Sequence, residues 1–132
     1  MIASPRLRHH VRDLPDLFAR VYGKRGARSL AKVQAIFGLN KSEAARLFGI
    51  SRQSLDEWFE RGVPMTRVAD VSRAADLAKA LSEHFEPERL PQIVRSPLPG
   101  LDDQSILTAI AERGTVPVFE MLDRAFSYIP RS

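Results

Sequence analysis

A three-residue corner, Gly49-Ile50-Ser51, separates two short segments whose apolar residues recur at helical spacing. Gly49 can adopt the left-handed conformation that turns a chain sharply after a helix. Ile50 can fill the space between two helices, and Ser51 can cap a second helix that begins at Arg52. Helices joined by so short a turn need a small residue where they touch, and Ala45 provides one. The sequence therefore predicts two short helices that cross closely.

Both predicted helices carry start and stop signals. Asn40 can cap the first helix, with Glu43 three residues later in the capping-box position. Gly62 is predicted to end the second helix. Within the second helix, three apolar residues recur at three and four residues and are predicted to face inward: Leu55, Trp58 and Phe59.

Two more helices are predicted before this unit. The first carries an apolar stripe and a stop at Gly23, and the basic, glycine-containing stretch KRGARS is predicted to break the chain. The second is predicted to end near Gly38. The stripe of the first helix is Leu14, Leu17, Phe18 and Val21, and that of the second is Leu30, Val33, Ile36 and Phe37.

The sequence after Gly62 also has a helical pattern. Thr66 is predicted to cap a long alanine-rich helix. Prolines then favour a short helix after Pro87, followed by extended or turn backbone. A final pair of helices is predicted, the first stopped at Gly114 and the second with Pro117 in its early turns. The fold class is thus predicted to be all-α, with a basic helical region at 1–62 and a helical domain at 63–132.

Charge differs between these two regions. Residues 1–62 hold 12 Lys and Arg against 6 Asp and Glu, a net charge of +6, whereas residues 63–132 hold 8 against 10, a net charge of −2. Clustered cations attract phosphate and release its counterions, so the basic half suits a nucleic acid. A solvated arginine-rich surface is the alternative that charge alone leaves open.

Several classes of protein are disfavoured. The chain has no cysteine, which is typical of a reducing compartment and excludes disulfides and cysteine-ligated metals. No apolar run is long enough for a membrane span or a signal peptide, so we expect a cytoplasmic protein. The three histidines have no partners at ligand spacing, and no glycine-rich phosphate loop follows a strand. We therefore expect no enzyme activity, no metal and no cofactor.

Residues 39–62, LNKSEAARLFGISRQSLDEWFERG, resemble the helix-turn-helix of phage repressors and Xre regulators. In that family the second helix lies in the DNA major groove and its first exposed residues read base edges. The resemblance therefore implies that the chain binds double-stranded operator DNA. The positions that match the family pattern are Leu39, Glu43, Ala45, Gly49, Ile50, Ser51, Leu55, Trp58 and Gly62.

Carried over to this sequence, the resemblance makes Arg52 and Gln53 the base readers. Arginine matches guanine O6 and N7, and glutamine matches adenine N6 and N7. Glu57 has two interpretations, acceptance of a hydrogen bond from cytosine N4 or an ion pair with Arg61. The residues expected to hold phosphates are Lys41, Ser51 and Ser54.

The second half resembles, less tightly, the toxin-binding domain of MbcA/ParS/Xre antitoxins. The similar stretch is IVRSPLPGLDDQSILTAIAERGTVPVFEMLDRAFSYI, which lacks the asparagine and the glycine-rich step of that family. The resemblance implies that the partner is a RES-domain toxin, which consumes NAD. The residues expected to contact the toxin are Pro97, Leu98, Leu101, Tyr128 and Arg131, the last two as an insert into the toxin cleft or simply as a frayed terminus.

Together the resemblances imply a type II antitoxin that neutralises its toxin and represses its own operon. The alternative is a stand-alone transcriptional regulator whose C-terminal helices dimerise or sense a ligand. A single helix-turn-helix contacts about half of a DNA operator. Either function therefore predicts a homodimer or a larger toxin–antitoxin assembly.

Overall fold

The computed structural model describes residues 5–127, with side chains from residue 16 to residue 126. This part of the chain is all-α, as predicted, and its only non-helical pairing is an isolated bridge between Leu98 and Gln104. None of its helices combines the length and the apolar character needed to cross a membrane. The α-helices are α1 (Pro5–Phe37), α2 (Lys41–Leu47), α3 (Arg52–Arg61), α4 (Met65–His84), α5 (Leu90–Ile93), α6 (Ile106–Arg113) and α7 (Thr115–Ser127), with 3-10 helices at Pro87–Arg89 and Pro99–Leu101.

The predicted break in the first helical region is wrong, because α1 runs unbroken from Pro5 to Phe37. Gly23 and Gly26 lie inside the helix, where each faces the segment that joins α3 to α4. A Cβ on Gly26 would lie 2.8 Å from the Cβ of Val63, and the backbone N–H of Val63 donates to the carbonyl of Gly23 at 3.0 Å. These glycines therefore permit a close approach of two backbones, and the helix continues through them.

The core is one cluster to which both halves of the sequence contribute. α1 packs chiefly against α4. Leu30, Val33 and Phe37 of α1 are fully buried, as the sequence predicts for its second stripe. The other fully buried large side chains are Leu55, Val71, Leu77, Leu81, Leu90, Val94, Leu101, Ile106 and Val118.

The first predicted stripe has a different outcome. Leu17 is 48% exposed, Phe18 50% and Val21 41%, and every residue from 16 to 22 is exposed. The side chain of Leu14 lies outside the described residues. Residues 16–22 of α1 thus lie outside the core, and the three described residues of the first stripe do not join it.

Two smaller predictions are wrong. Thr66 does not cap α4, which begins one residue earlier, at Met65, after Pro64 and without a side-chain cap. Phe59, which was predicted to face inward, is 39% exposed. Phe119 and Leu122 of α7 line one cleft with Phe126 and the last turns of α4, and Phe119 is 44% exposed.

The rest of the second half follows the sequence pattern. The short helical segment after Pro87, the stop at Gly114 and the early position of Pro117 in α7 are all confirmed. α6 is capped by the side chain of Ser105, which accepts a hydrogen bond from the N–H of Thr108. α7 closes over α4 and the 3-10 helix Pro99–Leu101.

Candidate nucleic-acid interface

The corner between α2 and α3 is built from the local signals that the sequence carries. Asn40 and Glu43 form a capping box at the start of α2, with both of its hydrogen bonds present at 2.8 and 3.1 Å. Gly49 has a φ of +65° and turns the chain, and Ile50 packs against the core. Ser51 accepts a hydrogen bond from the N–H of Ser54 and so caps α3. This geometry is compatible with the predicted helix-turn-helix.

α3 is anchored on one side and open on the other. Leu55 is fully buried and Trp58 is 6% exposed, as predicted. Arg52 and Gln53 are exposed in the first turn of the helix, beside the cap at Ser51. The structure therefore brings together the two predicted base readers and the two predicted phosphate contacts, Ser51 and Ser54, at the N-terminal end of α3.

The open face of α3 changes character along its length. Asp56, Glu57 and Glu60 are exposed from the second turn onward. Within the described residues Glu57 forms no ion pair with Arg61, so it stands free on this face. Carboxylates repel phosphates, whereas a helix N-terminus attracts them. The N-terminal end of α3 is thus the part of the helix suited to DNA.

Lys41 does not stand free as a phosphate contact. Its Nζ lies 2.9 Å from Oδ1 of Asp56, and the two side chains are 54% and 52% exposed. The pair links the start of α2 to the middle of α3 across the corner. Exposed ion pairs are weak, so the pair competes with a phosphate without excluding it.

Two arginines outside the motif hold α2 at its two ends. Arg95, which follows α5, donates to both carboxylate oxygens of Glu43 at 2.8 and 2.9 Å and to the carbonyls of Phe37 and Gly38 at 3.0 and 2.8 Å. Its fifth hydrogen bond goes to the carbonyl of Pro91. These bonds to Glu43, followed by the one from the N–H of Asn40, hold the pKa of that carboxyl below its ordinary value.

Arg67 of α4 holds the other end. It donates to the carbonyl of Phe48, the C-cap of α2, at 2.6 Å. Its guanidinium carbon lies 5.3 Å from the ring centroid of Trp58, within cation–π range, and its Nε donates to Asp70. Neither arginine could be found from local spacing, since Arg95 is 52 residues from Glu43 and Arg67 is 19 residues from Phe48.

The predicted toxin-contact residues differ in how far they are exposed to solvent. Pro97 is exposed and Leu98 is half-buried, but Leu101 is fully buried in the core. Tyr128 and Arg131 lie outside the described residues. The described part of the second half also exposes three large apolar residues that the pattern did not single out for a partner, Met65 of α4 and Val116 and Phe119 of α7.

No group of three or more His, Cys, Asp or Glu side chains lies close enough in the described residues to hold a metal ion. The chain was also compared with protein-family models, curated proteins and solved structures. No match was found in any of the three comparisons.

Proposed function

We propose that this chain is the antitoxin of a type II toxin–antitoxin pair, which binds a RES-domain, NAD-consuming toxin and represses its own operon through α2 and α3. The DNA-binding part is supported by one observation above the others. Arg52 and Gln53 are exposed at the capped N-terminus of a helix whose opposite side is fixed by Leu55 and Trp58. Bidentate side chains on a rigid helix end are what major-groove reading requires.

The acidic later turns of α3 refine this proposal. Asp56, Glu57 and Glu60 are kept from phosphates if α3 enters the groove with its N-terminal end leading. Glu57, one turn after Gln53, then remains close enough to accept from cytosine N4. A dimer or a toxin-bridged assembly places two copies of the helix-turn-helix on half-sites about one helical turn of DNA apart.

The base-reading role of Arg52 is tested by fluorescence anisotropy on duplexes from the chain's own promoter. Arg52→Ala is expected to weaken specific binding by about 1–3 kcal/mol and to relax one base position. Arg61→Ala, at the far end of the same helix, is the matched control and is expected to leave specificity unchanged. Equal loss on promoter and random duplexes would instead assign Arg52 to a phosphate.

The Lys41–Asp56 pair allows a second test, in which the variant is expected to bind DNA more tightly instead of more weakly. Asp56→Asn releases Lys41 for a phosphate and is expected to tighten DNA binding and to steepen the salt dependence by about one contact. Glu60→Gln removes a carboxylate from the same helix without releasing Lys41, and is expected to change the salt slope less. Identical effects of the two variants would show that general charge, not Lys41, is responsible.

The toxin-binding part rests on the resemblance of the second half and on exposed Pro97. Co-expression with the product of the neighbouring gene tests it. A stable complex that stops NAD loss is expected, and Pro97→Glu is expected to weaken it while DNA binding persists.

The alternative, a stand-alone regulator, is favoured by the burial of Leu101, which leaves the similar segment partly in the core. In that case the second half packs against the helix-turn-helix and stabilises it. Failure to capture the neighbouring gene product, with promoter binding intact, would favour this alternative.

A further inference from the structure

A cleft lies beside the corner between α2 and α3, and we call it the corner cleft. It is lined by the end of α2 with Gly49, by the first turns of α4 and by the turn that joins α6 to α7. Its volume of about 350 Å³ falls at the lower end of the range for small-molecule sites. The corner cleft is therefore large enough for a small organic molecule.

The charged residues that line the corner cleft leave one cation without a partner. Arg67 and Asp70 pair with each other at 3.2 Å, and Arg67 also donates to the carbonyl of Phe48. Arg73, three residues after Asp70 on α4, is exposed and has no ion pair or side-chain hydrogen bond among the described residues. The lining thus carries a net positive charge, and Arg73 is free to bind an anion.

The start of α7 lies on the same cleft. Its first residues, Thr115, Val116 and Pro117, all line it. The N–H groups of Thr115 and Val116 belong to the first turn, where a helix supplies no acceptor, and Gly114 has no side chain to cap them. A helix N-terminus attracts negative charge, so it acts on an anion in the same direction as Arg73.

Thr115 brings an unpaired hydroxyl group to the corner cleft. It is 9% exposed and is the only polar or charged residue that is buried in the described part of the chain, where its hydroxyl has no hydrogen-bond partner. Thr115 and Arg73 also line a neighbouring depression of about 270 Å³ together, so the two residues are neighbours. A buried hydroxyl without a partner costs free energy, and a ligand oxygen bound beside it would restore a hydrogen bond.

The rest of the lining has a different character. It consists of apolar residues and glycine and includes Val116, which is 44% exposed. The neighbouring depression instead carries Asp76 and Glu120, whose carboxylates repel an anion. An anionic group is therefore favoured beside Arg73 and Thr115 within the corner cleft, and the apolar lining suits a carbon skeleton attached to it.

We propose that the corner cleft binds a small organic carboxylate that carries an apolar or aromatic group. The carboxylate accepts hydrogen bonds from Arg73, from the Thr115 hydroxyl and from the N–H groups at the start of α7, while the carbon skeleton covers the apolar lining. Such a ligand also lies against Phe48 and Gly49, in the turn that leads into α3. The site depends on neither the DNA-binding nor the toxin-binding proposal, and it is tested without either partner.

Three probes separate the contributions of charge and apolar surface. Benzoate has both groups, benzamide has the same ring without the charge, and inorganic phosphate has charge without a ring. In proton–nitrogen correlation NMR of the full chain at constant pH and ionic strength, benzoate is expected to give saturable shifts of the Thr115 and Val116 amide signals, with a dissociation constant of about 1–10 mM. Benzamide and phosphate are each expected to bind at least about tenfold more weakly, because each lacks one part of the match.

Two variants test the residues assigned to the carboxylate. Arg73→Ala is expected to raise the dissociation constant of benzoate at least about tenfold, whereas Lys79→Ala, which removes another exposed cation from α4, is expected to change it less than about twofold. Thr115→Val replaces the hydroxyl with a methyl group of similar size and is expected to weaken binding about threefold or more. Circular dichroism is expected to show that every variant remains helical.

Four results would overturn the proposal. The first is a benzoate titration whose shifts stay linear up to about ten times the expected dissociation constant. The second is equal affinity for benzoate and benzamide, and the third is an equal effect of Arg73→Ala and Lys79→Ala. The fourth is phosphate binding as tight as that of benzoate, which would show that the apolar lining plays no part.

Discussion

At the scale of single residues, Arg95 is the most fully used side chain of the described chain. A guanidinium has five N–H donors, and in Arg95 five hydrogen bonds reach Glu43, Phe37, Gly38 and Pro91. These acceptors belong to the end of α1, the start of α2 and α5. The planar fork of arginine matches this set, whereas a lysine ammonium does not.

Replacement of Arg95 is therefore expected to destabilise the fold. Arg95→Ala is expected to lower the free energy of unfolding by about 1–3 kcal/mol, because it removes charge-assisted hydrogen bonds from a partly buried site. Arg95→Lys is expected to recover less than half of that loss. Urea unfolding measures both, with Arg73→Ala on the exposed side of α4 as the control. A full recovery by lysine would show that charge alone is needed.

The lowered pKa of Glu43 makes the fold sensitive to acid. A carboxyl whose pKa is lower in the folded state stabilises that state above its unfolded pKa, and this contribution is lost as the pH falls through the folded pKa. The ordinary value is 4.5, so the loss is expected below that pH. Hydrogen bonds from Arg95 are the main cause.

Glu43→Gln is expected to flatten the acid limb of stability against pH. Glutamine can still complete the capping box, so the variant removes the charge and keeps the local bond. Thermal melts between about pH 6 and pH 3 measure the effect, since this range spans the ordinary glutamate pKa. Glu83→Gln, an exposed carboxylate outside the Arg95 cluster, is the control, and an acid limb unchanged by Glu43→Gln would contradict the assignment.

At the scale of elements, α1 shows how a long-range contact overrides a local stop signal. Glycine costs a helix interior about 1 kcal/mol relative to alanine. Glycine is nevertheless preferred at position 26, because the side chain of Val63 occupies the space that the Cβ of an alanine would need. The usual advantage of alanine in a helix is therefore reversed at this position.

Gly26→Ala is expected to lower the free energy of unfolding by about 1–3 kcal/mol through overpacking. Gly26→Ala combined with Val63→Ala is expected to lose less than the sum of the two single losses, since the smaller side chain makes room. Chemical unfolding of the four members of this double-mutant cycle tests the contact. Additive losses would mean that the two residues do not meet.

At the scale of the whole molecule, the two halves of the sequence share one core. Buried residues from α1, α3, α4, α6 and α7 form a single cluster. In addition, Arg67 and Arg95, which belong to the second half, donate hydrogen bonds to the two ends of α2. The predicted domain boundary at Gly62 thus marks a change in net charge. Whether the regions on its two sides also fold independently stays a prediction.

A fragment of residues 1–62 is expected not to fold alone, because it loses the α4 side of the core and both arginines. Trp58, the only tryptophan, is 6% exposed in the whole chain and reports this directly. Its emission is expected to shift to the red in the fragment, with a loss of helical circular dichroism. A helical fragment with blue-shifted Trp58 emission would instead establish residues 1–62 as an independent domain.

The sequence predicted the corner between α2 and α3 well, because its structure depends on neighbouring residues, although the local cap predicted at Thr66 is wrong. The caps at Asn40 and Ser51 and the left-handed turn at Gly49 follow from local backbone hydrogen bonding, and all were predictable. The continuity of α1 through Gly23 was not, because its reason is Val63, 40 residues later. The same holds for the candidate interface: exposed Arg52 and Gln53 follow from helical spacing, whereas the Lys41–Asp56 pair depends on how α2 crosses α3.

The unbroken course of α1 also limits how this chain can change in length. A residue inserted between Val21 and Gly23 rotates everything before it by about 100° relative to the core and moves it by about 1.5 Å along the axis. A loop would absorb such an insertion, but a continuous helix transmits it. Only steps of about seven residues return residues 16–22 to nearly the same side of the helix, so other insertions and deletions at this point change the direction in which these residues face.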